Sequence, residues 1–222
     1  MRMTERREFK LSVSSIKTFY ASKAKWAWKY ILGIQDSEDN QDSLLLWKMF
    51  ENRLFTWEDN WDIMWEIVIA NKEKFATDYD TLKHNSKWMP FVKGKTQVKV
   101  EWELFGLPII WYIDNLLADC IEDIKTCHYL SKQENIAKNP WSWMSYNEEY
   151  ELQLWIYMKL TWLTRAKILE VSKFDYKDKR HAHQIIEYEF TKEFDERMTV
   201  KFTPIVNEMK ELFDKYSLKL AI

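Results

Sequence analysis

The chain has 222 residues, enough to bury a real core as one domain, and a second independent domain is not expected. Its net charge is −2 with 31% charged residues, so a pure nucleic-acid-binding module is disfavoured and phosphate contacts fall to local clusters such as Lys23, Lys25 and Lys29. Cys120 and Cys127 are too few for a disulfide framework or a soft-ligand zinc site and fit reduced thiols. No apolar run approaches a membrane span and the first residues lack a signal-peptide core, so a cytoplasmic protein with no membrane partner is expected.

After a polar start, Leu11-Ser12-Val13-Ser14-Ser15 leads into a helix-like run over 16–34, with Ser14 or Ser15 placed to cap it. Residues 43–55 carry apolar positions at helical spacing and read as a helix. A further helix is expected over 61–75, a polar segment over 76–88, and a turn over 89–95, where Pro90 and Gly94 stand. Residues 96–105 alternate polar and apolar with period two, which predicts a half-exposed strand.

Two apolar runs follow, over 107–116 and 120–126, and a turn near 117–119 would fold them into a hairpin with Asp114 beside Asp123. Asp123 and Lys125 are two apart, so on a strand they project from the same face. Carboxylates held close together repel unless a cation lies between them, and Mg²⁺ is commonly held by one or two carboxylates with water and phosphate oxygens. The lysine can orient or deprotonate an attacking water, or steady the charge of a phosphorane-like transition state. Taken alone, Asp-x-Lys on a strand is more often a solvated, weak ion pair.

A polar loop over 131–143 is long enough to lie over a site. The helix predicted over 147–164 places Gln153 and Tyr157 at i and i+4 on one face, where an amide and a phenol can bridge a carboxylate, a phosphate and a base. Strands are expected over 165–174 and 184–190, and a helix containing Pro204 over 193–219. His181 and His183 form His-x-His, but no third ligand has compatible spacing, which favours a reading without metal.

Leu-Ser-Val-Ser running through Phe19-Tyr20 to Leu32-Gly33, then Ile113-Asp114, Asp123-Ile124-Lys125-Thr126 and Gln153-x-x-x-Tyr157, together resemble the PD-(D/E)XK nucleases, specifically their RecB-like branch. The resemblance spans about 11–212, with 56–88 unassigned. It implies an α/β, restriction-endonuclease-like core, with a central mixed sheet flanked by helices. A helical N-terminal elaboration over about 11–88 would precede the catalytic part over about 95–219. The activity implied is Mg²⁺- or Mn²⁺-dependent hydrolysis of DNA, as by a phage or bacterial exonuclease in recombination, repair or replication. By the resemblance Asp114 and Asp123 hold the metal, Lys125 positions the water, and Gln153 and Tyr157 complete the catalytic set.

The family's Gly-x-x-x-His helix aligns with Trp47-Lys-Met-Phe-Glu51, which makes Glu51 a third ligand, with the Ile124 carbonyl completing the shell. A carboxylate is harder than imidazole and suits Mg²⁺ or Mn²⁺ at least as well. Where relatives bind an iron–sulfur cluster this chain has Ala21-Ser22-Lys23 and no C-terminal cysteines, so no cluster is expected. DNA is the implied partner, alongside a recombinase, helicase or single-strand-binding protein. Alternatives on the same residues are a non-catalytic DNA-binding or assembly subunit, and an RNA-directed or restriction-like endonuclease.

Trp47 and Trp111 stand where the family has glycine. The chain holds 3 glycines and 13 tryptophans, sixteen residues together, about the 7% share that glycine alone normally takes. Reading the UGA codon as glycine rather than tryptophan would account for both facts.

Overall fold

The computed structural model describes residues 11–33, 41–58, 72–127, 130, 146–175, 177–178 and 181–217. Helix α1 (Val13–Ala21) begins at Ser12, whose hydroxyl accepts the Ser15 N–H while the Ser15 hydroxyl accepts the Ser12 N–H. This reciprocal cap forms earlier than the expected Ser14 or Ser15. The single helix expected over 16–34 is broken at Ser22, which takes an extended backbone and caps a second segment by accepting the Lys25 N–H. A serine hydroxyl offers the backbone an alternative to the helical ladder, and here that alternative wins. The second segment, α2 (Lys23–Trp26), runs into a π-helical turn (Ala27–Leu32) that Gly33 closes at φ 71°.

Helices α3 (Gln41–Thr56) and α4 (Lys72–Asn85) follow. The second occupies most of what reads as a polar segment in the sequence: Phe75, Tyr79 and Leu82 fall on one buried stripe while the remainder is largely solvated. Residues 61–71 of the helix expected over 61–75, and the whole loop expected over 131–143, lie outside the described residues.

The strands are β1 (Lys95–Leu104), β2 (Leu107–Leu116), β3 (Ile121–Cys127), β4 (Arg165–Ser172) and β5 (His183–Glu189), which form a sheet in that order. All neighbours are antiparallel except β3 and β4, which are parallel. A parallel pair needs a crossover, and α5 (Tyr146–Thr161) lies between those strands in the chain. Phe105 and Gly106 turn β1 into β2 with φ 55° and 70°, the left-handed pair that matches strand twist. Gly94 packs so closely on Leu116 that a Cβ there would stand 2.3 Å from its carbonyl oxygen. Helix α6 (Lys192–Ser217) contains Pro204 without ending there.

Two apolar clusters sandwich the sheet. Side chains of α1, α5 and α6, among them Phe19, Trp155, Met158 and Phe202, pack with Ile113, Ile121 and Ile168. Met49, Phe50, Tyr79 and Leu82 from α3 and α4 pack with Ile124, Leu169 and Val171. The chain is thus an α/β fold, a five-stranded mixed sheet flanked by helices, with further helices at the N-terminal side. No described helix is long and apolar enough to cross a membrane.

Candidate active site

Strands β2 and β3 pair only at Asn115↔Glu122 and Leu116↔Ile121, next to their turn. Beyond that the ladder opens. The Ile124 N–H donates instead to Asp114 Oδ2 at 3.0 Å, so a carboxylate side chain satisfies a backbone donor that the neighbouring strand no longer reaches. This divergence leaves Asp114 and Asp123 near each other at the mouth of the opening. Lys125 meets Asp123 Oδ2 at 2.6 Å, and its own side chain is 27% exposed.

Helix α5 closes one side. Gln153 Nε2 donates to Asp123 Oδ1 at 2.6 Å and approaches the Tyr157 hydroxyl at 2.7 Å, so the i, i+4 pair acts as one unit against the metal-ligand candidate. The Tyr157 hydroxyl also donates to the Tyr112 carbonyl at 3.2 Å. Helix α3 closes the other side with Glu51, only 7% exposed. Its carboxylate accepts from Gln97 Nε2, which also lies 3.5 Å from Asp114 Oδ1. All seven residues expected at the site are therefore near one another. Five of them, Asp114, Asp123, Lys125, Gln153 and Tyr157, line a recess of about 360 Å³ with Trp47, Gln97 and Trp111 at its walls, whereas Glu51 and Ile124 lie behind that lining.

Gln97 was not legible as a site residue. It sits inside β1, bracketed by the pairs Thr96↔Asn115 and Val98↔Ile113, yet its φ is 50°. Such a backbone in a non-glycine strand residue is uncommon and tends to mark functional positions. The two tryptophans also reach the chemistry. Trp47 Nε1 donates to the Ile124 carbonyl at 3.4 Å, and Trp111 Nε1 donates to the Tyr157 hydroxyl. Away from the recess, Lys23 is engaged by Glu208, which weakens the basic cluster expected there.

The electrostatics follow from crowding acids in a dry place. Burial raises Asp114 to about 8, with the Asp123 charge adding to it, although Lys125 and the Ile124 N–H pull the other way. Burial likewise raises Glu51 to about 7 against the opposing Gln97 hydrogen bond. Burial lowers Lys125, but Asp123 and Asp114 outweigh it and leave the ammonium above its ordinary value. Burial, reinforced by Asp123 and Asp114, pushes Tyr157 well up.

Carboxylates that resist ionising because they are buried and also face one another are suited to a hard dication, whose charge reverses that cost. The buried Asp123 Oδ2 faces the Lys125 ammonium at 2.6 Å and carries no further hydrogen bond among the described residues, so the same oxygen could also serve a metal ion. As they stand, Glu51 and Asp114 are bridged by the Gln97 amide. Among the described residues no three acidic, histidine or cysteine side chains close around an ion position. The donor set has the chemistry that suits a hard dication, with the Gln97 amide lying between Glu51 and Asp114.

A solved structure shares the architecture: the "Putative exonuclease" of Eubacterium rectale, at TM-score 0.64 over 97% of this chain and 88% of that one, with 16% identity. A phage-related exonuclease of Haemophilus somnus is 13% identical over 96% of each chain, at TM-score 0.43. No family model and no curated protein matches the sequence. At these identities the Eubacterium rectale structure establishes for this chain one thing, the α/β fold with its five-stranded mixed sheet between helices.

Proposed function

We propose that the chain is a divalent-metal-dependent nuclease that hydrolyses DNA phosphodiester bonds, an exonuclease of the RecB-like branch serving recombination, repair or replication. The observation that carries this reading is the convergence of Asp114, Asp123 and Lys125 from an opened strand pair with Gln153 and Tyr157 from one helix face. Asp114, Asp123 and Glu51, with the Ile124 carbonyl, would hold Mg²⁺ or Mn²⁺. Such an ion, when bound, polarises a phosphoryl oxygen and acidifies a water. Gln153 holds Asp123 by Oδ1, so an ion would share Oδ2 with the Lys125 ammonium. Lys125 stays cationic, so it orients the attacking water and balances charge on the phosphoryl oxygens rather than removing a proton. Tyr157 stays protonated and serves as a neutral donor.

The test is cleavage of labelled linear, circular, single- and double-stranded DNA, with RNA alongside, with and without Mg²⁺ or Mn²⁺. Cleavage of linear DNA that requires metal and disappears in Asp123→Asn and Lys125→Ala variants of unchanged melting temperature is expected. Metal-independent cleavage, or activity surviving in both variants, refutes the proposal. Cutting of circles or of RNA assigns the same site to a restriction-like or RNA-directed enzyme. A non-catalytic DNA-binding or assembly subunit is a second reading, favoured by Gln97 and Trp47 standing among the would-be ligands. It is met by DNA binding without cleavage under any metal.

A further inference from the structure

We infer that tryptophan in this sequence occupies positions where the cell inserts glycine, because the gene's UGA codons are decoded by a glycine-charged tRNA. The strongest observation comes from helix ends, away from the site. Trp57 follows α3 at φ 63° and its N–H donates to the Arg53 carbonyl at 2.9 Å. Trp162 follows α5 at φ 61° and its N–H donates to the Met158 carbonyl at 2.9 Å. Both are the left-handed residue that terminates a helix by returning its N–H to the last turn, a position held mainly by glycine because any Cβ is strained there. Gly33 does the same after the π-helical turn, at φ 71° with its N–H on the Trp28 carbonyl. Among the described residues, this helix-ending geometry carries glycine once and tryptophan twice.

Neither indole compensates for the strain by burial, since Trp57 is 66% and Trp162 79% exposed. Asparagine is the usual substitute for glycine in the left-handed region, whereas a bulky aromatic there is an outlier. Two more tryptophans sit where close approach matters: Trp47 with its indole on the Ile124 carbonyl, and Trp111 against Tyr157. Glycine at those positions removes both indoles from the recess walls and frees the Ile124 carbonyl. The two helix ends carry the reassignment whether or not the recess is a nuclease site.

The reassignment is not uniform across the tryptophans. Trp155 is fully buried, stacks on Phe202, and donates its Nε1–H to Asp195 at 2.8 Å. That surrounding is shaped for an indole, so position 155 is a true tryptophan. The codons and the native polypeptide decide the matter together. UGA is expected at positions 47, 57, 111 and 162, and UGG at 155. Peptide mass spectrometry of the protein from its native cells should show glycine masses at 57 and 162. UGG at either 57 or 162 overturns the inference, as does UGA at 155 or a tryptophan mass in the native peptides.

Discussion

Replacing Trp162 separately by glycine and by alanine isolates the cost of its backbone. Both changes remove the same indole, which is 79% exposed; the hidden fifth of a tryptophan that could bury 150–250 Å² is about 40 Å², or about 1 kcal/mol at roughly 25 cal/mol per Å². Alanine keeps the left-handed strain at φ 61°, whereas glycine sheds it. That strain is about 1–2 kcal/mol, and glycine returns up to about 1 kcal/mol of it through the greater freedom of its unfolded chain. Trp162→Gly should therefore lie about 1 kcal/mol above Trp162→Ala and level with the parent. At this chain length that separates the variants by about 2–4 °C in thermal unfolding. Circular dichroism melts of the three purified proteins make the comparison. An alanine variant as stable as the glycine one would show that the φ at this helix end carries no strain, and the reasoning would fail.

The remaining predictions concern the recess. Glu51→Ala should weaken Mg²⁺ binding about tenfold or more by calorimetry, whereas Glu187→Ala, on an exposed part of β5, should leave it unchanged; equal effects would make Glu51 a bystander. In metal-free protein, Glu51 and Asp114 hold protons more tightly folded than unfolded, so the unfolded chain ionises first as pH rises. Stability should fall from about pH 3.8, where unfolded Asp114 ionises, to about 8 and then level off. The fall should shrink in Glu51→Gln and be offset by Mg²⁺ most strongly at the upper end; a melting temperature that rises through this window in metal-free protein would contradict it. Gln153→Leu strips Asp123 and Tyr157 of a shared donor, and should cost about 1–3 kcal/mol of stability and lower kcat more than it raises KM. An unchanged kcat would leave Gln153 with a packing role only.

Part of the fold and of the site is legible in the sequence. The β2–β3 hairpin and the Gln153–Tyr157 face follow from periods of two and of 3.6, which depend only on spacing. What escaped depended on side chains overriding the backbone pattern. Ser22 splits a run whose apolar spacing is continuous, because one hydroxyl captures the Lys25 N–H. Helix α4 was hidden by its polar composition, although Phe75, Tyr79 and Leu82 carry the spacing that would have found it. Glu122, whose place next to Asp123 on β3 turns it to the opposite face, is nevertheless 3% exposed and accepts from Asn115 at 2.7 Å. It would make a poor surface control, since its removal leaves one N–H of the buried Asn115 amide unpaired. Gln97 left no trace in the sequence, because a polar residue in an alternating strand ordinarily faces water.

The hydrogen bond from the Ile124 amide to Asp114 makes the main chain itself a listener at the site. In most sheets an interior amide exchanges its hydrogen only when strands separate, and so reports the stability of the whole unit. Here the amide is guarded by one carboxylate, and whatever draws on that carboxylate also alters the guard. Exchange at this single peptide group can therefore register the arrival of a cation with no substrate present and no bond cut. The same economy makes Asp114→Asn the cleaner probe than Asp114→Ala. An amide oxygen can still accept from Ile124 while the charge is gone, whereas alanine strands the donor between two strands that have already parted.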